Sequence, residues 1–238
     1  MLHDEAHVWL LNPYAVNDAD TLQHCNNILE SHEREKVGRF FRASDGHHYL
    51  ISHALVRSVL SRYVDTAPGN WRFRQGPHGR PEIISEELPG LRFNLTHTDG
   101  LAACIVTLDD DCGIDAEKLQ ERTNPLGVAK RMFSELELDR LKQLEGKAFL
   151  EYFYAHWTLR EAYVKALGIG ISFPTRKLEF SVKSDDVTMK FDGTPDDQND
   201  DWQFRLIRHN ATHIVAIALR GNTGINKKIC VHQFGFND

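Results

Sequence analysis

The sequence predicts an α+β fold built from two similar halves. In each half a long apolar segment with helical periodicity precedes two short apolar runs separated by a turn. The second pair of runs repeats the first at a constant offset of 111 residues, which relates Phe93 to Phe204 and Leu108 to Leu219. A helix-then-hairpin order that recurs at a fixed spacing indicates a duplicated unit.

The first half is predicted to span residues 1–110 and the second residues 111–238. Helices are expected over residues 49–63 and 149–167, and hairpins over residues 91–108 and 202–219. The polar segment 192–201 is expected to be an exposed loop. A duplicated fold leaves a cleft between its halves, which is a common place for a ligand.

Composition excludes several classes of protein. The chain has 238 residues, 41% of them hydrophobic and 26% charged, which is ordinary for a globular domain. The apolar run 101–106 is too short to cross a bilayer, and the acidic N-terminus lacks the pattern of a signal peptide. A net charge of −6 argues against nucleic acid as the main partner. Four cysteines without a C-x-x-C pair predict reduced thiols in a cytoplasmic protein, and neither a disulfide framework nor a zinc site.

Two carboxylates mark the start of the second half. The strand ending near Leu108, the acidic turn 109–111 and the run 112–114 predict a hairpin whose second strand reaches Asp115. Alternate residues of a strand share a face, so Asp115 and Glu117 project together. Such a pair suits Mg²⁺, which prefers oxygen ligands. The alternative is that Glu117 only begins a solvated charged segment.

A second pair of charges lies in the helix predicted over residues 149–167. Apolar residues cover almost every face of this helix, which predicts that it is buried. Glu161 and Lys165 are four residues apart and share one face. Buried charges are costly unless they are paired or bound to a metal or ligand. A simple structural ion pair is the alternative to a functional role.

Candidate phosphate contacts come from the first half. Thr96 and His97 end a strand at a turn, where a hydroxyl, an imidazole and backbone N–H groups can face an anion. Gly79 and Arg80 form a turn that presents a basic side chain, and Lys36 is a further candidate. An ordinary exposed side chain is the alternative at each of these positions.

Four motifs in series carry a resemblance to a known family. They are G-R-P-E (79–82), F-N-L-T-H-T (93–98), G-I-D-A-E (113–117) and W-T-L-R-E-A-Y-V-K-A-L-G (157–168). In order and spacing, over about residues 30 to 220, the chain resembles the larger, Sfp-like 4′-phosphopantetheinyl transferases. These are monomeric pseudodimers of two α+β halves. They transfer the phosphopantetheine arm of coenzyme A to a serine of an apo acyl or peptidyl carrier protein and release adenosine 3′,5′-bisphosphate.

The resemblance implies a role for each candidate residue. Asp115, Glu117 and Glu161 would hold Mg²⁺, or Mn²⁺ in its place, against the pyrophosphate of coenzyme A. Lys165 would neutralise the pyrophosphate and could protonate the leaving group. Thr96 and His97 would touch the 3′-phosphate region, and the remaining contacts to phosphate or adenosine would come from Lys36, Gly79 and Arg80. The resemblance leaves open whether Glu161 or a metal-bound water takes the proton of the serine.

Two rival functions use the same residues. A Mg²⁺-dependent pyrophosphate hydrolase would cleave coenzyme A without a carrier, and a carrier-binding scaffold would bind without turnover. Carrier proteins of this kind are generally acidic, so a local basic docking surface is expected on this acidic chain. Its candidate residues are Arg122, Lys130, Arg131 and Lys142, next to a helix opened by a capping box at Ser134 and Glu137.

Overall fold

A computed structural model of the chain describes residues 2–76, 78–84, 90–170, 173–183, 186–192, 202–221 and 226–237. Apart from Asp192, the segment expected to be an exposed loop lies outside these residues. No helix in the described ranges is long and apolar enough to span a membrane.

Within its described residues, the first half contains five strands and three α-helices, in an order that the second half repeats. Their bounds are β1 (Glu5–Leu11), α1 (Ala19–Ile28), α2 (Ser31–Val37), α3 (Ala43–Leu60), β2 (Phe73–Gln75), β3 (Pro81–Ile83), β4 (Leu91–Thr98) and β5 (Leu101–Leu108). Helix α3 begins six residues before its predicted start. Residues 43–48 are polar or small and carry no apolar periodicity, although Gly46 and His48 are buried.

The second half contains the corresponding elements and one additional strand. Their bounds are β6 (Asp111–Lys118), α4 (Pro125–Met132), α5 (Glu135–Lys142), α6 (Gly146–Leu167), β7 (Leu178–Lys183), β8 (Asp186–Phe191), β9 (Trp202–His209), β10 (His213–Arg220) and β11 (Lys228–Gln233). Helix α6 and both hairpins lie where the sequence predicts them. Each half therefore runs strand, three helices, small hairpin, long hairpin.

The strand pairing shows the same duplication. In the first half β5 lies between β1 and β4, and in the second half β10 lies between β6 and β9, with antiparallel pairing throughout. The expectation of an α+β fold with two similar halves is confirmed. The boundary at residues 110 and 111 stays a prediction.

One strand pairing differs from the expectation. The sequence predicts that β5 and β6 form a hairpin through the acidic turn, and this is wrong. Strand β6 pairs with β10, whereas β5 pairs with β1 and β4. The reason is that apolar side chains of β1, β5, β6 and β10 form a common core, so the chain crosses from one sheet to the other. Ile114 and Ala116 are buried in this core.

The last strand joins the first half. Strand β11 runs parallel to β1 and lies at the edge of the first sheet, where Glu5 is opposite Lys228 and His7 is opposite Cys230. The segment that follows β11 also packs on the first half, since Phe234 belongs to the hydrophobic core between the first sheet and helices α1 and α3.

Candidate active site

Close contact between β6 and α6 places the two charged pairs next to each other. A Cβ atom on Gly113 would lie 1.9 Å from the carbonyl oxygen of Ala162, so only glycine allows the strand to approach the helix this closely. Along β6, Ile114 and Ala116 face the core between the sheets. Asp115 and Glu117 therefore face α6, as the strand alternation predicts.

Asp115 lies at the centre of this arrangement. Its Oδ1 accepts a hydrogen bond from the Lys165 ammonium at 2.7 Å and a weaker one from the Thr96 hydroxyl at 3.4 Å. Its Oδ2 is buried and has no hydrogen-bond partner among the described residues. A buried carboxylate oxygen without a partner is costly, which makes it a strong candidate to bind a cation.

Lys165 is bound to Asp115 and not to Glu161. Its ammonium also donates to the carbonyl of Ile114 at 3.1 Å, so two acceptors of β6 hold it. The described ion pairs contain none between Glu161 and Lys165. The alternative of a simple i,i+4 pair within the helix therefore does not apply, because the lysine reaches across to the strand.

Glu117 and Glu161 complete the acidic group. Glu117 accepts a hydrogen bond from the indole N–H of Trp157 at 3.0 Å. Burial raises the pKa of Asp115, of Glu117 and of Glu161. The charge of Asp115 raises the pKa of the other two carboxyl groups further. The three acids therefore repel one another across a site that needs a positive charge.

The candidate residues of the first half differ in what they contact. The Thr96 hydroxyl is buried, and it accepts a hydrogen bond from the Ala116 N–H at 3.3 Å in addition to its contact with Asp115. His97, one residue further, is exposed. Desolvation by the surrounding protein lowers the pKa of His97 to about 4, and His53, His48 and Lys165 lower it further. His97 is therefore neutral at pH 7.

Arg80 connects the two halves. Its guanidinium donates to the carbonyl of Ala166 at 2.7 Å, near the end of α6, and to that of Cys112 at 3.3 Å. A cation at the C-terminus of a helix is favourable because carbonyls without partners accumulate there. Gly79, beside it, adopts φ +82°, a conformation that favours glycine.

A cavity of about 280 Å³ lies on the first half, between α2, α3 and the small hairpin. Lys36 and Gly79 both line it. The exposed ammonium of Lys36 lies 4.8 Å from the ring centre of Tyr49, whose ring stacks on His53 at 3.9 Å. The cavity thus offers aromatic surface with a cation at its edge.

Comparison with known proteins gives two matches that together cover most of the chain. The family model of the 4′-phosphopantetheinyl transferase superfamily matches residues 111–218, and that of the N-terminal region of 4′-phosphopantetheinyl transferases matches residues 17–107. The 4′-phosphopantetheinyl transferase HetI of Nostoc is 32% identical over 174 residues, which are 72% of this chain and 72% of HetI. The chain belongs to the 4′-phosphopantetheinyl transferase family.

Two further relatives lie in distant organisms. The 4′-phosphopantetheinyl transferase Sfp of Bacillus subtilis is 33% identical over 150 residues, which are 62% of this chain and 64% of Sfp. The mouse L-aminoadipate-semialdehyde dehydrogenase-phosphopantetheinyl transferase is 25% identical over 211 residues, which are 82% of this chain and 68% of that protein. The resemblance to Sfp-like phosphopantetheinyl transferases is confirmed.

The oxygen donors of this family member fit a magnesium ion. They are three carboxylates, one of which has a buried oxygen without a described partner. The ligand oxygens of these three carboxylates do not all lie within 4.8 Å of one another. Within the described ranges, the only group of potential metal ligands that meets this distance is Glu5, His7 and Cys230. Mg²⁺ usually keeps several waters and binds few protein oxygens, so a spread acidic group is compatible with it.

Sequence reasoning missed two features of the site. Trp157, part of the recognised helix motif, hydrogen bonds to Glu117, which a local pattern cannot reveal. Tyr49 and His53 line the cavity beside Lys36. The sequence does contain a signal for Tyr49 and His53, because the same Tyr-x-x-x-His spacing recurs 103 residues later at Tyr152 and His156. The rings of that second pair are also stacked.

Proposed function

We propose that the chain transfers the 4′-phosphopantetheine group of coenzyme A to a serine of an apo carrier protein, with Mg²⁺ held by Asp115, Glu117 and Glu161. The observation that carries the assignment of these residues is the buried Asp115 carboxylate, which faces Lys165 on one oxygen and has no described partner on the other. The family of the chain supports coenzyme A and a carrier protein as the two substrates.

The chemistry follows from charge. The serine oxygen forms a bond to the β-phosphorus of coenzyme A, and the bond from that phosphorus to the bridging oxygen breaks. A bound Mg²⁺ supplies positive charge that offsets the charge growing on the bridging oxygen. Lys165 adds a second cation on the same side and can donate a proton to the departing adenosine 3′,5′-bisphosphate.

Glu161 is the proposed acceptor of the serine proton. Burial, and after it the charge of Asp115, raises the pKa of Glu161 in the metal-free chain, which favours uptake of a proton. Lys36, Gly79 and Arg80 are proposed to border the adenosine end of coenzyme A, and Thr96 with His97 the 3′-phosphate region. Thr96 would act through Asp115 and Ala116, because its hydroxyl is buried against them.

The mass of an apo carrier protein tests the proposal. After incubation with coenzyme A and Mg²⁺, the carrier should gain the mass of one phosphopantetheine. Asp115→Asn should abolish the gain, whereas Asp186→Asn, at an exposed carboxylate on β8, should not change it. No gain on any of several acyl and peptidyl carriers would reject the function. Cleavage of coenzyme A without a carrier would favour the pyrophosphate hydrolase. Binding of the carrier without any modification of it would favour the carrier-binding scaffold.

The proposed carrier-docking surface consists of Arg122, Lys130, Arg131 and Lys142. All four side chains are exposed, and the capping box of Ser134 and Glu137 is present at the start of α5. The guanidinium of Arg122 lies 5.1 Å from the ring centre of Trp157, the residue that hydrogen bonds to Glu117. The basic surface therefore continues to the edge of the acidic group.

Charge reversal tests this surface. Lys130→Glu together with Arg131→Glu should weaken binding of an acidic carrier by about tenfold or more, because each contact changes from attraction to repulsion. Lys147→Glu, at an exposed lysine on α6, is the control. The measurement is the KM for the carrier at saturating coenzyme A, and an unchanged KM would refute the placement.

A further inference from the structure

A cluster of metal-binding side chains lies where β11 joins β1, on a different sheet from Asp115 and Glu117. Glu5 and His7 alternate along β1, and Cys230 lies opposite His7 on β11. One potential ligand atom from each of the three lies within 4.8 Å of the others, and all three residues are half-buried. Among the described residues no other group meets this condition.

We propose that Glu5, His7 and Cys230 form a zinc site that fastens the last strand of the chain to the first. A thiolate, an imidazole and a carboxylate are the ligand types that bind Zn²⁺ in proteins. A soft thiolate disfavours Mg²⁺ and Ca²⁺, which take oxygen ligands. The site is thus chemically distinct from the proposed magnesium site.

The surroundings of His7 match those of a metal ligand. Its Nε2 lies 3.1 Å from Glu5 Oε2, and its Nδ1 lies 2.8 Å from the Tyr63 hydroxyl. Trp9 donates its indole N–H to the same hydroxyl at 2.7 Å, which fixes the position of that oxygen. Ligand histidines are commonly held in this way through their second nitrogen.

A further donor lies beside the cluster. His232 follows Cys230 by two residues on β11, and its ring centre is 5.1 Å from that of His7. Its Nε2 is buried and has no hydrogen-bond partner in the described part of the chain. The imidazole of His232 is therefore a candidate for the fourth ligand of a tetrahedral site.

Lys228 competes with the metal for Glu5. The Lys228 ammonium lies 3.0 Å from Glu5 Oε1. Lys228 is 74% exposed, so it can leave Glu5 when a cation arrives.

Cobalt(II) is the probe that tests the site, because a thiolate bound to it gives a near-ultraviolet charge-transfer band that oxygen ligands do not give. Titration of the full chain under reducing conditions should produce this band with one equivalent of Co²⁺, and added Zn²⁺ should remove it, since Zn²⁺ binds such sites more tightly than Co²⁺. Binding should also raise the thermal midpoint, because the folded chain alone holds the three ligands together.

Variants assign the band to these residues. Cys230→Ser and His7→Ala should each weaken binding by about 100-fold or more, since each removes a ligand and not only a supporting contact. Lys228→Met keeps the aliphatic stem and removes the competing ammonium, so it should tighten binding. Glu117→Gln changes the proposed magnesium site and should leave the band unchanged.

The outcomes separate clearly. Loss of the band in Cys230→Ser with an unchanged circular dichroism spectrum, together with tighter binding by Lys228→Met, supports the site. Absence of the band in the unsubstituted chain, or its persistence in Cys230→Ser, would overturn the proposal. The tests do not depend on carrier modification, so failure here leaves the proposed function untouched.

Discussion

Asp115 and Lys165 form an ion pair at the proposed site for Mg²⁺ and the pyrophosphate of coenzyme A. Burial alone raises the pKa of Asp115, and the contact with Lys165 opposes that rise. The lysine thus favours the ionised form of the acid, which is the form that binds a metal. In the proposed function, the metal on Asp115 and the ammonium of Lys165 both lie near the pyrophosphate of coenzyme A. Each residue therefore has one role before the substrate binds and another after it.

Removal of the lysine charge tests this pairing. Lys165→Met should lower kcat by about 100- to 1000-fold, the effect typical of losing one group that stabilises transition-state charge. Lys147→Met changes an exposed lysine of the same helix and should leave kcat unchanged. The rate of carrier modification at saturating substrates is the measurement. A change confined to KM would show that Lys165 only binds coenzyme A.

His97 carries a neutral imidazole at pH 7, because its pKa is lowered to about 4. A neutral ring can donate one N–H to the 3′-phosphate, and a hydrogen bond to a charged group contributes about 1.5–3 kcal/mol. His97→Ala should therefore raise the KM for coenzyme A by about tenfold or more. The KM for 3′-dephospho-coenzyme A, which lacks this phosphate, should not change. Equal effects on both substrates would assign His97 elsewhere.

At the scale of secondary-structure elements, the contact of β6 with α6 controls the geometry of the site. The strand supplies Asp115 and Glu117, and the helix supplies Glu161 and Lys165. Their separation depends on Gly113, whose missing side chain lets the strand touch the helix backbone. A local packing feature therefore sets the distance between the charged pair of β6 and that of α6.

Gly113→Ala tests this dependence. The added methyl group must push β6 from α6, which should destabilise the fold by about 1–3 kcal/mol and reduce transfer activity. Gly38→Ala is the matched control, because Gly38 has a helical φ of −71° and its new Cβ would meet only ordinary contacts. Urea unfolding and the rate of carrier modification are the measurements. Equal stability of the two variants would contradict the role of Gly113.

A second element-level feature appears in both halves. The carboxylate of Glu33 on α2 accepts hydrogen bonds from His53 and from the buried Arg57 of α3. In the second half the buried Arg160 of α6 pairs with Glu137 of α5, and His156 lies next to the same carboxylate. Arg160, in the recognised helix motif, thus belongs to the scaffold. The sequence contains this repeat as two H-x-x-x-R patterns 103 residues apart.

At the scale of the whole molecule, the two halves share a topology but only the second has the acidic site. Trp9 in β1 is opposite Cys104, and Asp115 in β6 is opposite Ala216. Cys104 and Ala216 are equivalent because their partners Leu95 and Leu206 are 111 residues apart, so the second hairpin strand is offset by 112 residues and not by the 111 expected from the sequence. Trp9 therefore occupies in β1 the place that Asp115 occupies in β6. His232 of β11 stacks on Trp9 at 4.6 Å and covers that place. At this position the second half therefore carries an acid, and the first half carries an aromatic side chain that His232 covers.

The acidic group should couple magnesium binding to the stability of the whole fold. The pKa values of Asp115, Glu117 and Glu161 are raised in the folded state. The folded state therefore binds more protons at these three groups than the unfolded state does. Without metal, the stability contributed by these groups is full at low pH and is lost as the pH rises through their folded pKa values. A bound cation removes this penalty.

We therefore expect Mg²⁺ to raise the thermal midpoint more at pH 8 than at pH 5, where protons compete for the same oxygens. At 100 times the dissociation constant the gain is about 2.7 kcal/mol. Glu117→Gln should reduce both the magnesium effect and its pH dependence. Differential scanning calorimetry with and without Mg²⁺ is the measurement, and a pH-independent effect would refute this linkage.

The sequence by itself determined the duplication, the helix that carries Glu161 and Lys165, and the shared face of Asp115 and Glu117. These follow from periodicity and spacing along the chain, which are local properties. Only the tertiary structure decided that β6 leaves β5 for β10, that Lys165 binds Asp115 across two elements, and that Thr96 is buried behind the acid. Each of these depends on which surfaces pack together. Packing brings together residues that are far apart in the sequence, such as Asp115 and Lys165, which 50 positions separate.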